Sequence, residues 1–172
     1  RSPPTRKTTT MTRARTLSKT AVSRFESLES RIAMAADVTV TLLGNGTLAI
    51  EGTDRNDTIA LNVPYGSLAT HVISGNREIA SYPTSSIRAI QASLLAGRDV
   101  LKIDMGGASL STVNVDVGQG TVERVDIVNG SVDTINVNAS RSVSTAVLVK
   151  DTTVRSAAFV KFAGGIDTLT VQ

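Results

Sequence analysis

Along most of the chain, apolar and polar residues alternate in short runs. Val38-Thr39-Val40-Thr41-Leu42, Thr47-Leu48-Ala49-Ile50 and Thr58-Ile59-Ala60-Leu61-Asn62-Val63 each set apolar residues against polar or small ones, the period of a strand with one buried face. Gly44-Asn45-Gly46 and the stretch from Gly52 to Asp57 lie between these runs and supply turns. Leu68 to Ser74 and Glu78 to Tyr82 flank Gly75-Asn76, which predicts a hairpin.

From residue 100 one unit recurs: a turn with glycine or a small residue, a polar residue, then apolar-polar-apolar. Leu101-Lys102-Ile103, Val113-Asn114-Val115, Val125-Asp126-Ile127, Ile135-Asn136-Val137, Val147-Leu148-Val149, Val160-Lys161-Phe162 and Leu169-Thr170-Val171 align, with starts 12, 12, 10, 12, 13 and 9 residues apart. Positions 101, 135 and 169 are 34 apart, as are 113 and 147. Strands at near-fixed spacing without helices between them predict a solenoid, in which each rung buries its apolar face only by stacking on its neighbours.

The fold expected is therefore all-β: a parallel β-solenoid or β-helix over residues 85–172, entered through a hairpin-rich segment, 37–84. Nineteen valines beyond residue 36 suit it, because a stiff β-branched side chain fits a stacked pleated surface and each buried one contributes roughly 1.5–3 kcal/mol. Outward positions hold Asn114, Asp116, Asp126, Asn136, Asn138 and Lys161, which keep that face wet and set up polar ladders. The rival architecture is an antiparallel β-sandwich, since turns every 10 to 12 residues fit that class as well.

Upstream of Asp37 the period changes. Leu17, Ala21, Phe25, Leu28, Ile32 and Ala35 follow at intervals of 4, 4, 3, 4 and 3, one face of a helix. Residues 1–36 thus read as a basic leader, disordered over its Thr- and Pro-rich start and then a short amphipathic helix. Eight Lys or Arg stand there against Glu26 and Glu29, so the net charge of +3 belongs to the leader and the body is acidic. Its longest apolar run, Ile32 to Ala36, is five residues, shorter than the roughly 7–15 of a secretory h-region. The readings that compete for it are a basic amphipathic helix on an anionic membrane surface, a basic arm touching phosphates, and a solvated, partly helical tail with no partner.

Composition excludes several chemistries. With no Cys there is no disulfide framework or thiolate site, and with His71 alone no paired-imidazole metal site. Gly44-Asn45-Gly46 lacks the Lys-Ser/Thr of a P-loop, and Gly118-Gln119-Gly120 lacks the third glycine of a dinucleotide fingerprint. No segment reaches the 18 or so apolar residues of a membrane span. Aromatic residues are too few for a nucleic-acid platform, so no nucleic-acid partner is expected.

Two resemblances add to this. Arg24-Phe25-Glu26-Ser27-Leu28-Glu29-Ser30-Arg31-Ile32-Ala33-Met34-Ala35-Ala36 resembles the LEPR-XLL N-terminal motif of large exported proteins of planctomycete-type bacteria, with Phe25, Glu26, Leu28, Glu29 and Arg31 in its characteristic places and Ser30 where its Pro stands. The resemblance implies export, an extracellular or cell-surface destination, and contact with export machinery through the leader. Gly52-Thr53-Asp54-Arg55-Asn56-Asp57-Thr58-Ile59-Ala60 is similar to the hemolysin-type (RTX) nonapeptide, with Gly52, Asp57 and Ile59 matching and Thr53 and Arg55 replacing glycines. Gly97-Arg98-Asp99-Val100-Leu101 keeps the last part of that pattern, and Gly164-Gly165-Ile166-Asp167-Thr168-Leu169 its glycine pair. This second resemblance implies calcium as the one candidate cofactor, at a weak site formed by Asp54 and Asp57.

The function expected is a noncatalytic exported structural or adhesin-like segment. Its partners are a cell-surface polymer or another β-rich chain pairing with an exposed C-terminal edge, because Val171-Gln172 ends the chain within a strand pattern. A weak calcium-binding module and a fragment of a carbohydrate-acting β-helix enzyme are the alternatives. The latter would draw on carboxylate pairs such as Asp54/Asp57 or Asp99/Asp104.

Overall fold

A computed structural model describes residues 37–64, 67–163 and 165–172. The leader, with Phe25, Glu26, Leu28, Glu29 and Arg31, lies outside the described residues. Asp37–Gln172 forms one unit. Its eleven strands are β1 (Thr39–Leu42), β2 (Thr47–Glu51), β3 (Thr58–Asn62), β4 (Ala69–Ser74), β5 (Arg77–Pro83), β6 (Ala89–Ser93), β7 (Val100–Asp104), β8 (Ser109–Asp116), β9 (Glu123–Ala139), β10 (Thr145–Phe162) and β11 (Thr168–Val171). They join in one sheet wound as a parallel β-solenoid of about four turns.

Two parallel faces carry the stack. One is β2–β6–β8–β9–β10, in which Leu48, Ile90, Val113, Ile135 and Ala158 are successive partners. The other is β3–β7–β9–β10–β11, in which Ile59, Leu101, Val125, Val147 and Leu169 align. Because side chains alternate across a strand, these positions and those two residues later all point inward and build continuous apolar columns. Leu48, Ile59, Leu101, Val113, Val125 and Ile135 are fully buried.

The stacking repeat is twice the sequence unit. Leu101 pairs with Val125, Val125 with Val147 and Val147 with Leu169, so a turn takes 24 or 22 residues. The aligned sequence units therefore alternate between the two faces, and the 34-residue spacing does not join stacked partners: Leu101 and Ile135 sit on different faces. Parallel stacking also starts earlier than residue 85. Strands β2 and β3 already form the first turn, which is stretched because β4 and β5 are inserted into it before β6 and β7.

That insertion closes one end. Strand β1 runs antiparallel to β2, β4 antiparallel to β3 and β5 antiparallel to β4, the hairpin turning at Gly75-Asn76. The Tyr82 hydroxyl of β5 donates to the Val40 carbonyl of β1 at 3.2 Å. At the other end, β11 pairs only with β10 among the described residues, and its inward-column members Leu169 and Val171 are 47% and 68% exposed.

Corners are made by residues with left-handed backbone. Strand β9 passes from one face to the other at Asn129 (φ 59°) and β10 at Asp151 (φ 49°), while the same corner between β7 and β8 uses Gly106 (φ 53°) and Gly107 (φ 90°). Asn129-Gly130 is thus a corner inside a strand. Asn and Asp tolerate this region better than most side chains. No helix among the described residues is long and apolar enough to cross a membrane.

Candidate functional site

The second type of corner leads into the β3–β7–β9–β10–β11 face, and it concentrates the titratable side chains. Register aligns Thr58, Val100, Arg124, Ala146 and Thr168, so the residues just before them follow the same stack: Asp57, Asp99, Glu123, Thr145 and Asp167. Asp99, Glu123 and Asp167 each cap the backbone of the previous turn. The Asp57 amide donates to Asp99 Oδ1 at 2.8 Å, the Asp99 amide to Glu123 Oε2 at 3.0 Å, and the Thr145 amide to Asp167 Oδ1 at 2.7 Å. The Glu123 amide donates instead to the Ser144 carbonyl at 2.9 Å.

At the top of this ladder Asp57 is fully engaged. Its Oδ2 accepts from the Thr53 amide at 2.6 Å and the Thr53 hydroxyl at 3.0 Å, with Oδ1 3.2 Å from the same hydroxyl. Further along, satisfaction is incomplete. Asp99, Glu123 and Thr145 are each 1% exposed, and Asp99 Oδ2, Glu123 Oε1 and Thr145 Oγ1 have no hydrogen-bond partner among the described residues. Gly120 makes room for this arrangement, since a Cβ there would overlap the Glu123 carboxylate.

Burial sets the protonation of the pair. Removal from water disfavours the charged form and raises both carboxyls, Asp99 to about 6 and Glu123 to about 7. The negative charge of Asp57 adds to the rise at Asp99, and that of Asp99 to the rise at Glu123. The backbone amide donated to each carboxylate opposes it. A protonated carboxyl gains a donor that the buried oxygens otherwise lack, so the ladder's chemistry is that of a partly neutral hydrogen-bonded stack.

The two residues singled out for calcium fare differently. Asp57 is buried, with both oxygens occupied by Thr53, whereas Asp54 is exposed and lines a shallow depression with Ser93, Leu95, Gly118 and Arg141. Among the described residues no group of three or more His, Asp or Glu is arranged to hold a metal ion. Asp99 and Asp104, the other pair with conceivable hydrolytic geometry, stand before and at the end of β7, and Asp104 is tied to Lys102 at 3.6 Å and to the Asn129 amide at 3.0 Å. His71 lies on the β4–β5 hairpin with Nδ1 3.0 Å from Glu78 Oε2.

Sequence reasoning missed Asp99 and Glu123 as members of one structure, although a signal existed. Asp57, Asp99, Glu123, Thr145 and Asp167 each stand two residues before the first inward apolar residue of their strand. Glu123 escaped because Gly120-Thr121-Val122-Glu123 carries one residue more than the Gly-x-Asp of Gly97-Arg98-Asp99, and Thr145 because it carries no charge. The chain matches no family model, no curated protein and no solved structure.

Proposed function

We propose that the chain is a noncatalytic, exported β-solenoid segment with a structural or adhesin-like role in a cell-surface or extracellular protein. The observation that carries this reading is the organisation of the outer positions. On the β2–β6–β8–β9–β10 face they form columns tied laterally from turn to turn, such as Asn136 Nδ2 donating to Asn114 Oδ1 at 2.7 Å and Asn138 Nδ2 lying 3.4 Å from Asp116 Oδ2, and their polar groups are spread along the stack. Such columns suit a display surface, while chemistry at one bond needs acid, base and nucleophile converging on it. The LEPR-XLL-like leader supports the destination.

The test is location. Epitope-tagged full-length chain should be cleaved by protease added to intact cells, or recovered outside them, and Leu28→Asp with Arg31→Glu should reduce that fraction. Recovery only from the cell interior, unchanged by the double substitution, would overturn the reading.

One specific observation favours a second reading, a calcium-binding module: an acidic residue recurs along one column, with unpartnered oxygens on Asp99 and Glu123. Against it stand the engagement of Asp57 by Thr53 and the burial that favours neutral carboxyls. Calorimetric titration with calcium at pH 7.5 separates the two. Heat that disappears in Asp99→Asn would favour the module; no heat would favour the metal-independent solenoid.

A further inference from the structure

The outer side of the β2–β6–β8–β9–β10 face bears an open groove of about 950 Å3, away from the acidic ladder. Register puts Gln91, Asn114, Asn136 and Phe159 in one outward column across it. Ser93, Asp116, Asn138 and Lys161 form the neighbouring column. Strands about 4.8 Å apart therefore present one polar group per turn in each column, until the first column reaches an aromatic ring.

The three asparagine amides are held in place. Asn136 Nδ2 donates to Asn114 Oδ1 at 2.7 Å, and Asn138 Nδ2 lies 3.4 Å from Asp116 Oδ2, which Arg141 also reaches at 3.0 Å. A primary amide has two donors and two acceptor sites, so Asn114 and Asn136 retain hydrogen-bonding capacity after their lateral bond, while Asn138 Oδ1 accepts from the Ser140 backbone amide at 3.3 Å and hydroxyl at 2.8 Å and keeps one Nδ2 donor. Phe159 is 63% exposed on this otherwise polar face. Its column neighbour is Asn136, so its exposed ring adds little to the apolar interior.

We propose that this groove binds a neutral polysaccharide strand, with a pyranose ring stacked on Phe159 and sugar hydroxyls held by Gln91, Asn114, Asn136 and Asn138. Three features select that occupant. Fixed amides match the adjacent donor and acceptor hydroxyls of a sugar, and an exposed aromatic face matches the apolar C–H face of a pyranose. The turn-to-turn spacing is comparable to the length of one pyranose unit, so successive sugars meet equivalent positions. Charge decides against acidic polymers: the groove lining carries only Asp116 and Lys161, of opposite sign. A peptide strand would pair with a sheet edge, and this is a face. The inference deepens the adhesin-like reading by naming the class of polymer, and rests on it.

The experiment is co-sedimentation of the purified full-length chain with insoluble cellulose, chitin, mannan and β-1,3-glucan, with alginate beads as the acidic comparison, at about 0.1 M and 0.5 M salt. Variants are Phe159→Ala, the double Asn114→Ala/Asn136→Ala, and Arg155→Ala as a control outside the groove lining, each checked for an unchanged β-rich circular dichroism spectrum. Retention on at least one neutral polymer should survive the higher salt, weaken by about tenfold or more in Phe159→Ala, and persist in Arg155→Ala. If Phe159→Ala does not fold, the double amide variant carries the same expectation. No retention on any neutral polymer, retention only on alginate that salt abolishes, or equal retention by the folded groove variants would overturn the proposal. Surface location is read separately: a located chain that binds no glycan defeats this inference alone, and a chain confined to the cell interior defeats the reading beneath it.

Discussion

Single residues decide whether one turn can lie on the next. Gly118 has φ 74°, and a Cβ there would run into the Leu95 carbonyl of the turn beneath. Both strain and collision act, so Gly118→Ala should destabilise the fold by about 2 kcal/mol or more, read from urea unfolding. Asp99 and Glu123 set the pH response. Their carboxyls are raised to about 6 and 7 in the folded chain, which therefore keeps protons that the unfolded chain releases from about pH 4 upward. The folded state binds more protons in that window, so the stability they contribute is complete below pH 4 and is lost as pH rises through 6 and 7. The loss should be on the order of a few kcal/mol between pH 4 and pH 8. Glu123→Gln should flatten its upper part and raise stability at pH 8; an unchanged pH profile in that variant would show that the pair does not control it. The turn glycines and Asp57 were legible as turn chemistry in the sequence. The ladder was legible only as a shared position two residues before the first inward apolar residue, because the register that stacks Asp57, Asp99, Glu123 and Asp167 comes from the wound chain.

At the scale of elements, alternation of apolar and polar residues foretold the strands well, since a strand with one face inward must carry that period. Winding was harder to read. The spacing of near 12 residues counts single strands, and nothing local distinguishes a strand on one face from its successor on the other. Leu101 and Ile135 look equivalent in the sequence while belonging to different columns. The inserted β4–β5 hairpin hid the first turn further, by separating Leu48 from Ile90 and Ile59 from Leu101. Stacking also predicts how mutational cost varies along a column. Leu101 is fully buried between turns, so Leu101→Ala should cost about 2–5 kcal/mol. Leu169 occupies a matching inward register on β11 but is 47% exposed, so Leu169→Ala should cost less than about 1 kcal/mol. Equal losses in chemical denaturation would mean that the interior is not built by successive layers.

For the whole molecule, the two ends differ. One is closed by antiparallel strands β1, β4 and β5, tied through Tyr82 and Val40. At the other, β11 pairs with β10 among the described residues, and its inward residues Leu169 and Val171 are less buried than their partners Val147 and Val149. Each turn protects its neighbour, as in other solenoids, and backbone amides cap Asp99, Glu123 and Asp167 along the acidic ladder. Stacking of successive turns is what holds Asp37–Gln172 together as a β-solenoid. Thermal unfolding of the full-length chain, followed by circular dichroism in EDTA and in millimolar calcium, tests it most directly, because a ligand that binds only the folded state must raise the transition. A β-rich spectrum and a cooperative transition in EDTA, moved by less than about 2 °C in calcium, is the predicted result. A chain unfolded in EDTA that gains its β-rich spectrum only with calcium would contradict the claim.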